Sequence, residues 1–164
     1  MSVESFFKDI KKKDFNEVRA FIENGNSPFQ WSDYQEKSSF HVACDKFDKE
    51  IFEFIIHESL LIEDLKLKWH KVDTNGRYPH HLLALNPPSD EITDAFKLLI
   101  NNIFIDLEAF DKFEQTVMDI AIENQNEDLI NLLNQMDSDP DHGFQKCWKA
   151  IELNDLDELQ RHFR

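Results

Sequence analysis

Three glycines and five prolines in 164 residues leave little material for the tight turns of a hairpin-rich β architecture. The two cysteines, Cys44 and Cys147, lie in helical apolar patterns and lack metal-ligand spacing, so they read as buried free thiols of a reducing compartment. No run of eighteen apolar residues exists, and Met1-Ser2-Val3-Glu4-Ser5 carries no apolar signal stretch. The expectation is a soluble chain of the cytoplasm, or of a host cytoplasm if it is a secreted effector. Bases are few: 18 Lys and Arg stand against 33 Asp and Glu, a net charge of −15. That deficit argues against nucleic acid and anionic membrane, both of which need cationic side chains. The imbalance is uneven. Residues 89–142 hold fourteen acids against Lys97 and Lys112, whereas residues 1–30 balance. The acidic stretch reads either as a solvated surface or as a face for a basic protein.

Phenylalanine, by contrast, is abundant, with fifteen copies, and it recurs at helical spacing. Phe6, Phe7 and Ile10, then Phe15, Val18, Phe21 and Ile22, mark two helices over 4–12 and 15–24. Asp14 suits the N-cap of the second and Gly25 its C-cap. Similar pairs follow. One opens at Ser38 and resumes at Asp48; the next opens at Pro79, breaks at Asn86-Pro87-Pro88 and resumes at Ser89. Another runs from Thr116 to about Gln135, and a last pair occupies about 144–153 and 156–163. Residues 59–72 form an extra Leu/Lys-rich stretch containing Trp69. A helix pair that repeats cannot bury its apolar face alone and must stack on its neighbours.

Several positions carry a family resemblance. Asp33 with Ser38-Ser39-Phe40-His41-Val42-Ala43, then Asp73, Gly76, Pro79, His81 and Ala84, then Asp106, Asp111, Thr116 and Ala121, are similar to the finger and first helix of ankyrin repeats. The copies are degenerate: one keeps the helix-opening proline and one keeps the finger glycine. Ala43, Leu83 and Ala121 are 40 and 38 residues apart, and Ala150 follows after 29. The resemblance implies an all-α ankyrin-repeat solenoid, right-handed and elongated, of about five helix-turn-helix units with short irregular fingers. The units would be about 1–30, 31–70, 71–104, 105–137 and 138–164 in a single domain. A tetratricopeptide or HEAT array is the competing α-solenoid. The resemblance also assigns His41 and His81 hydrogen bonds between adjacent repeats; Asp119 stands in the same place in the fourth unit and must bond differently. The last unit stops at Arg164 without a following finger, either as a terminal cap or, by preference, at a boundary inside a longer protein.

Chemistry finds little support. His80-His81 with His70 would be the metal candidate, yet adjacent helical histidines diverge by about 100° and share an ion poorly. The glycines give neither a nucleophile elbow nor a phosphate cradle. No catalytic residue, cofactor or metal is expected. Trp31, Tyr34, Phe110 and Phe113 instead fall in the finger segments, outside the helical periods, where Trp and Tyr often anchor interfaces. The expected function is non-catalytic recognition of a protein of basic character through the concave face of fingers and first helices, at Trp31, Tyr34, Phe110, Asp111 and Phe113. The alternative is a targeting or regulatory module of a larger enzyme or bacterial effector, suggested by the arginine-poor, Phe/Ile/Asn/Lys-rich composition.

Overall fold

A computed structural model of the chain describes residues 2–61, 69–103 and 105–138. Among the described residues the regular structure is helical: α1 (Val3–Lys12), α2 (Phe15–Glu23), α3 (Ser39–Asp45), α4 (Lys49–Leu60), α5 (Pro79–Ala84), α6 (Asp90–Asn102), α7 (Val117–Glu123) and α8 (Glu127–Asp137). A 3-10 turn covers Pro28–Gln30, and one isolated antiparallel bridge joins Ser32 to Ser38. None of the described helices is long and apolar enough to cross a membrane.

The helix starts follow local chemistry. Ser2, Asp14, Ser38, Asp48, Ser89, Thr116 and Asn126 each accept a backbone N–H from three residues on, filling an orphan donor of the first turn. α5 lacks such a cap and starts with Pro79, whose missing N–H costs nothing at that position. Asn24 is the C-cap of α2, one residue earlier than the sequence pattern placed it, and Gly25 follows with φ +83°.

The helices pair in order: α1 with α2, α3 with α4, α5 with α6, α7 with α8. Odd-numbered helices then form one row, α1 on α3 on α5 on α7, and even-numbered helices a second, α2 on α4 on α6 on α8. Each pair is half a core, and stacking completes it. Ala43, Leu83 and Ala121 sit five residues past their N-cap positions on α3, α5 and α7, and all are buried. Small side chains at two of these places let the rows approach closely. One continuous cluster runs through the stack, from Phe6, Ile10 and Phe21 through Phe40, Phe52 and Leu83 to Phe96, Ile120 and Leu133. Phe40 is clasped by Phe29 (centroids 5.5 Å apart) and by Trp69 (4.5 Å). Trp69 is 1% exposed, so it belongs to the core and offers no surface. Cys44 is buried too, and burial pushes its thiol well above the ordinary value. The expected last unit, with Cys147 and Ala150, lies outside the described residues.

Candidate protein-binding surface

Three turns connect the helix pairs on one side of the stack, at residues 33–37, 73–77 and 111–115. They are copies of one another. In each, the first residue is Asp and one carboxylate oxygen accepts two backbone N–H groups: Gln35 and Lys37 on Asp33, Asn75 and Arg77 on Asp73, Phe113 and Gln115 on Asp111, all at 2.8–3.0 Å. The Asp N–H in turn donates to the carbonyl of the fifth residue in each turn. The fourth residue is left-handed: Glu36 at φ 58°, Gly76 at φ 66° and Glu114 at φ 59°. Only Gly76 adopts that conformation at no steric cost. A Cβ there would also meet Lys112 Cγ at 3.0 Å and Lys112 N at 3.2 Å.

Adjacent turns are stitched directly. Thr74 N–H donates to Gln35 O, and Lys112 N–H to Asn75 O, both at 3.0 Å. Beneath them the histidines lock helix to turn. His41 Nδ1 accepts the Ser38 N–H and His81 Nδ1 the Tyr78 N–H, so each proton sits on Nε2. Those Nε2–H groups donate to Arg77 O and Ala109 O, both 2.9 Å away in the next unit. His80 donates likewise to Asp106 O. Burial lowers the pKa of all three, for His80 well below the usual range with His81 beside it. Asp119 makes the capping-box half of this device, as His41 does with Ser38, accepting the N–H and hydroxyl of Thr116 at 2.8 Å each. A further link had no counterpart in the sequence reading. Asn86 and Asn124 stand at equivalent places, each eight residues past the N-cap position of α5 or α7, and their amides donate to Cys44 O and Ala84 O of the preceding unit.

On this rigid row stand the aromatic side chains. Trp31, Tyr34, Phe110 and Phe113 are 57%, 86%, 66% and 59% exposed. They form two groups. Tyr34 lies in the first turn with Trp31 two residues before it, Phe113 lies in the third with Phe110 just before it, and the 73–77 turn lies between, bonded to both. Asp111 does not join them. Its carboxylate is fully covered, spent on the turn and on Arg77, whose Nε lies 2.9 Å from Oδ2. Burial raises its pKa, but the N–H of Gln115, the Arg77 side chain and the N–H of Phe113 outweigh this and hold it below the ordinary carboxylate value. Asp111 is therefore a positioning group for Phe113, and its assignment as a partner contact is corrected. Tyr78 was missed, because a lone aromatic before Pro79 matches no helical period. It flanks an open hollow of about 460 Å³ with Asp106, Glu108, Ala109 and Phe110.

No family model matches the chain, and no curated protein matches it in sequence. In three dimensions it is similar to one chain of the crystal structure of the yeast ribosomal protein Rps3 in complex with its chaperone Yar1. The TM-score is 0.69 at 20% identity, over 84% of this chain and 95% of that chain. In all, 235 solved chains match the fold, so the fold alone does not select a function.

Proposed function

We propose that the chain is a divergent ankyrin-type repeat module that binds a protein of basic character, without catalysis, on the side of the turns and odd-numbered helices. The observation that carries this reading is the placement of four large aromatic side chains outside a core already filled by others. An exposed aromatic on a mobile loop loses entropy on binding. Here the loops are fixed by two carboxylate-held N–H groups each and by turn-to-turn hydrogen bonds, so little ordering remains to be done. The surrounding charge favours a cationic partner and would speed encounter, while the rings would slow dissociation. The yeast complex joins a chaperone to a ribosomal protein, and a fold found in such an assembly is compatible with holding a protein client. Such a role places the chain inside a cell.

The test is affinity purification on the intact chain, wild type beside a Phe110→Ala/Phe113→Ala variant of equal melting temperature. A single stoichiometric protein retained by the wild type and lost by the variant supports the reading. Equal recovery on both, or turnover of small substrates in its place, counts against it.

A further inference from the structure

Two of the three glycines follow asparagine, at Asn24-Gly25 and Asn75-Gly76. In such a pair the asparagine side chain is open to attack by its own main chain, because glycine puts no Cβ in the way. The glycine nitrogen attacks Cγ of the asparagine and a new C–N bond forms. The side-chain nitrogen leaves as ammonia, taking the proton the glycine nitrogen gives up, and a cyclic succinimide remains. Water then opens the ring at either carbonyl, giving aspartate or isoaspartate. The ring closes only if the peptide between the two residues can turn towards the side chain. Both asparagines are exposed, so the backbone decides between them.

The Asn75-Gly76 peptide is held at both ends. Its carbonyl accepts Lys112 N–H at 3.0 Å, and its N–H donates to Asp73 O at 2.9 Å. The Asn75 N–H is fixed too, on Asp73 Oδ1 at 2.8 Å. Lys112 also crowds Gly76, with N at 3.2 Å and Cγ at 3.0 Å from where a Cβ would stand. Turning this peptide breaks two hydrogen bonds and severs the link between the second and third turns. The Asn24-Gly25 peptide is held at one end. Gly25 N–H donates to Ile22 O at 2.9 Å, whereas Asn24 O has no partner among the described residues. Nothing stands within 4 Å of the Gly25 Cβ position. Asn24 is also the C-cap of α2, and helix ends open at little cost.

We propose that Asn24 is a site of spontaneous, non-enzymatic deamidation in the folded protein, and that the row of turns shields Asn75 from the same reaction. The product puts a negative charge beside the last carbonyls of α2, where the helix dipole opposes it. Isoaspartate also lengthens the main chain by one methylene. Both changes enter between α2 and the 3-10 turn at Pro28–Gln30, and they leave the 73–77 turn chemically intact.

The experiment incubates the full chain at mildly alkaline pH, folded and in guanidinium chloride, and follows both sites by peptide mass spectrometry. In guanidinium the two sites should convert at similar rates. Folding should then slow Asn75 by at least about ten-fold more than it slows Asn24, because a tied turn opens less often than a helix end. Asp73→Ala frees the N–H groups of Asn75 and Arg77, and should speed conversion at Asn75 while leaving Asn24 unchanged. If that variant does not fold, the wild-type ratio decides alone. Equal protection of the two sites, or faster conversion at Asn75, would overturn the proposal. So would a folded chain that keeps Asn24 intact for as long as the exposed Asn16, which precedes no glycine.

Discussion

Arg77 Nε stands 2.9 Å from Oδ2 of Asp111, across the boundary between two consecutive turns, with the Asp111 carboxylate fully covered and the Arg77 side chain 17% exposed. One carboxylate therefore closes its own turn and ties the preceding turn to it. Removing it leaves a partly buried guanidinium and two N–H groups without that acceptor. Asp111→Ala should destabilise the chain by about 3 kcal/mol, the cost typical of breaking a buried pair from one side. In a chain of this size that lowers Tm by roughly 6–12 °C. Asp111→Asn keeps the N–H acceptor and should cost less. A thermal melt of Asp111→Ala matching the wild type would remove the turn from its proposed role as a rigid platform.

The three turns differ at the left-handed position, and the difference has a sign. Gly76→Ala is strained by φ +66° and by Lys112 at 3.0 Å. It should cost about 1–2 kcal/mol. Glu114, at φ 59°, is an L-residue already bearing that strain. Glu114→Gly should be neutral or gain up to about 1 kcal/mol, because relief of strain outweighs the added freedom of the unfolded chain. Urea midpoints decide this. Loss of stability in Glu114→Gly equal to that in Gly76→Ala would contradict the shared turn geometry.

Acid should loosen the stack through its histidines. His41, His80 and His81 have folded pKa values below the ordinary 6.5, burial being the first cause. Above about pH 6.5 both folded and unfolded chains hold them neutral, and their contribution is complete. Below it the unfolded chain binds protons that the folded chain refuses, so stability falls with pH, by up to about 1.4 kcal/mol per pH unit for each such histidine. Asp111 and Asp119 act in a lower window, since their depressed carboxyls lose stability only below about pH 4. The urea midpoint should therefore decline from pH 7.5 to 5.5, and less so in His80→Phe. A flat profile would contradict the neutral Nε2–H tautomers on which the links between units depend.

Much of this fold is legible in the sequence because its determinants are local. Phe6, Ile10, Val18 and Phe21 advertise a helical period, and Asp14, Ser38, Asp48, Ser89 and Thr116 announce helix starts by chemistry that acts over three residues. Trp31, Tyr34, Phe110 and Phe113 stand outside those periods, and they are exposed. What stayed hidden is non-local. The role of Asp111 depends on Arg77, 34 residues away, so its charge alone suggested a surface group. The links from Asn86 and Asn124 join residues about 40 positions apart. Glu36 and Glu114 conceal the turn repeat, since a left-handed position is ordinarily betrayed by glycine. Ile122 is 55% exposed, whereas Cys44 and Ala84, likewise six residues past their N-cap positions, are buried, a difference that no helical period announces. Periodicity reports which face of a helix is apolar, and stacking decides whether that face is covered.

The central claim is that partners dock on the turn side of the stack, and site-specific photo-crosslinking tests it most directly. A benzophenone amino acid would replace Tyr34 or Phe113 on the turns, or the exposed Glu53 on the opposite row, in chains of matched stability. Exposure to cell extract and light should yield one discrete adduct from positions 34 and 113, lost at high salt and in the presence of Phe110→Ala, with none from position 53. The same adduct from position 53, with none from 34 and 113, would place the binding surface on the even-numbered helices and contradict the account.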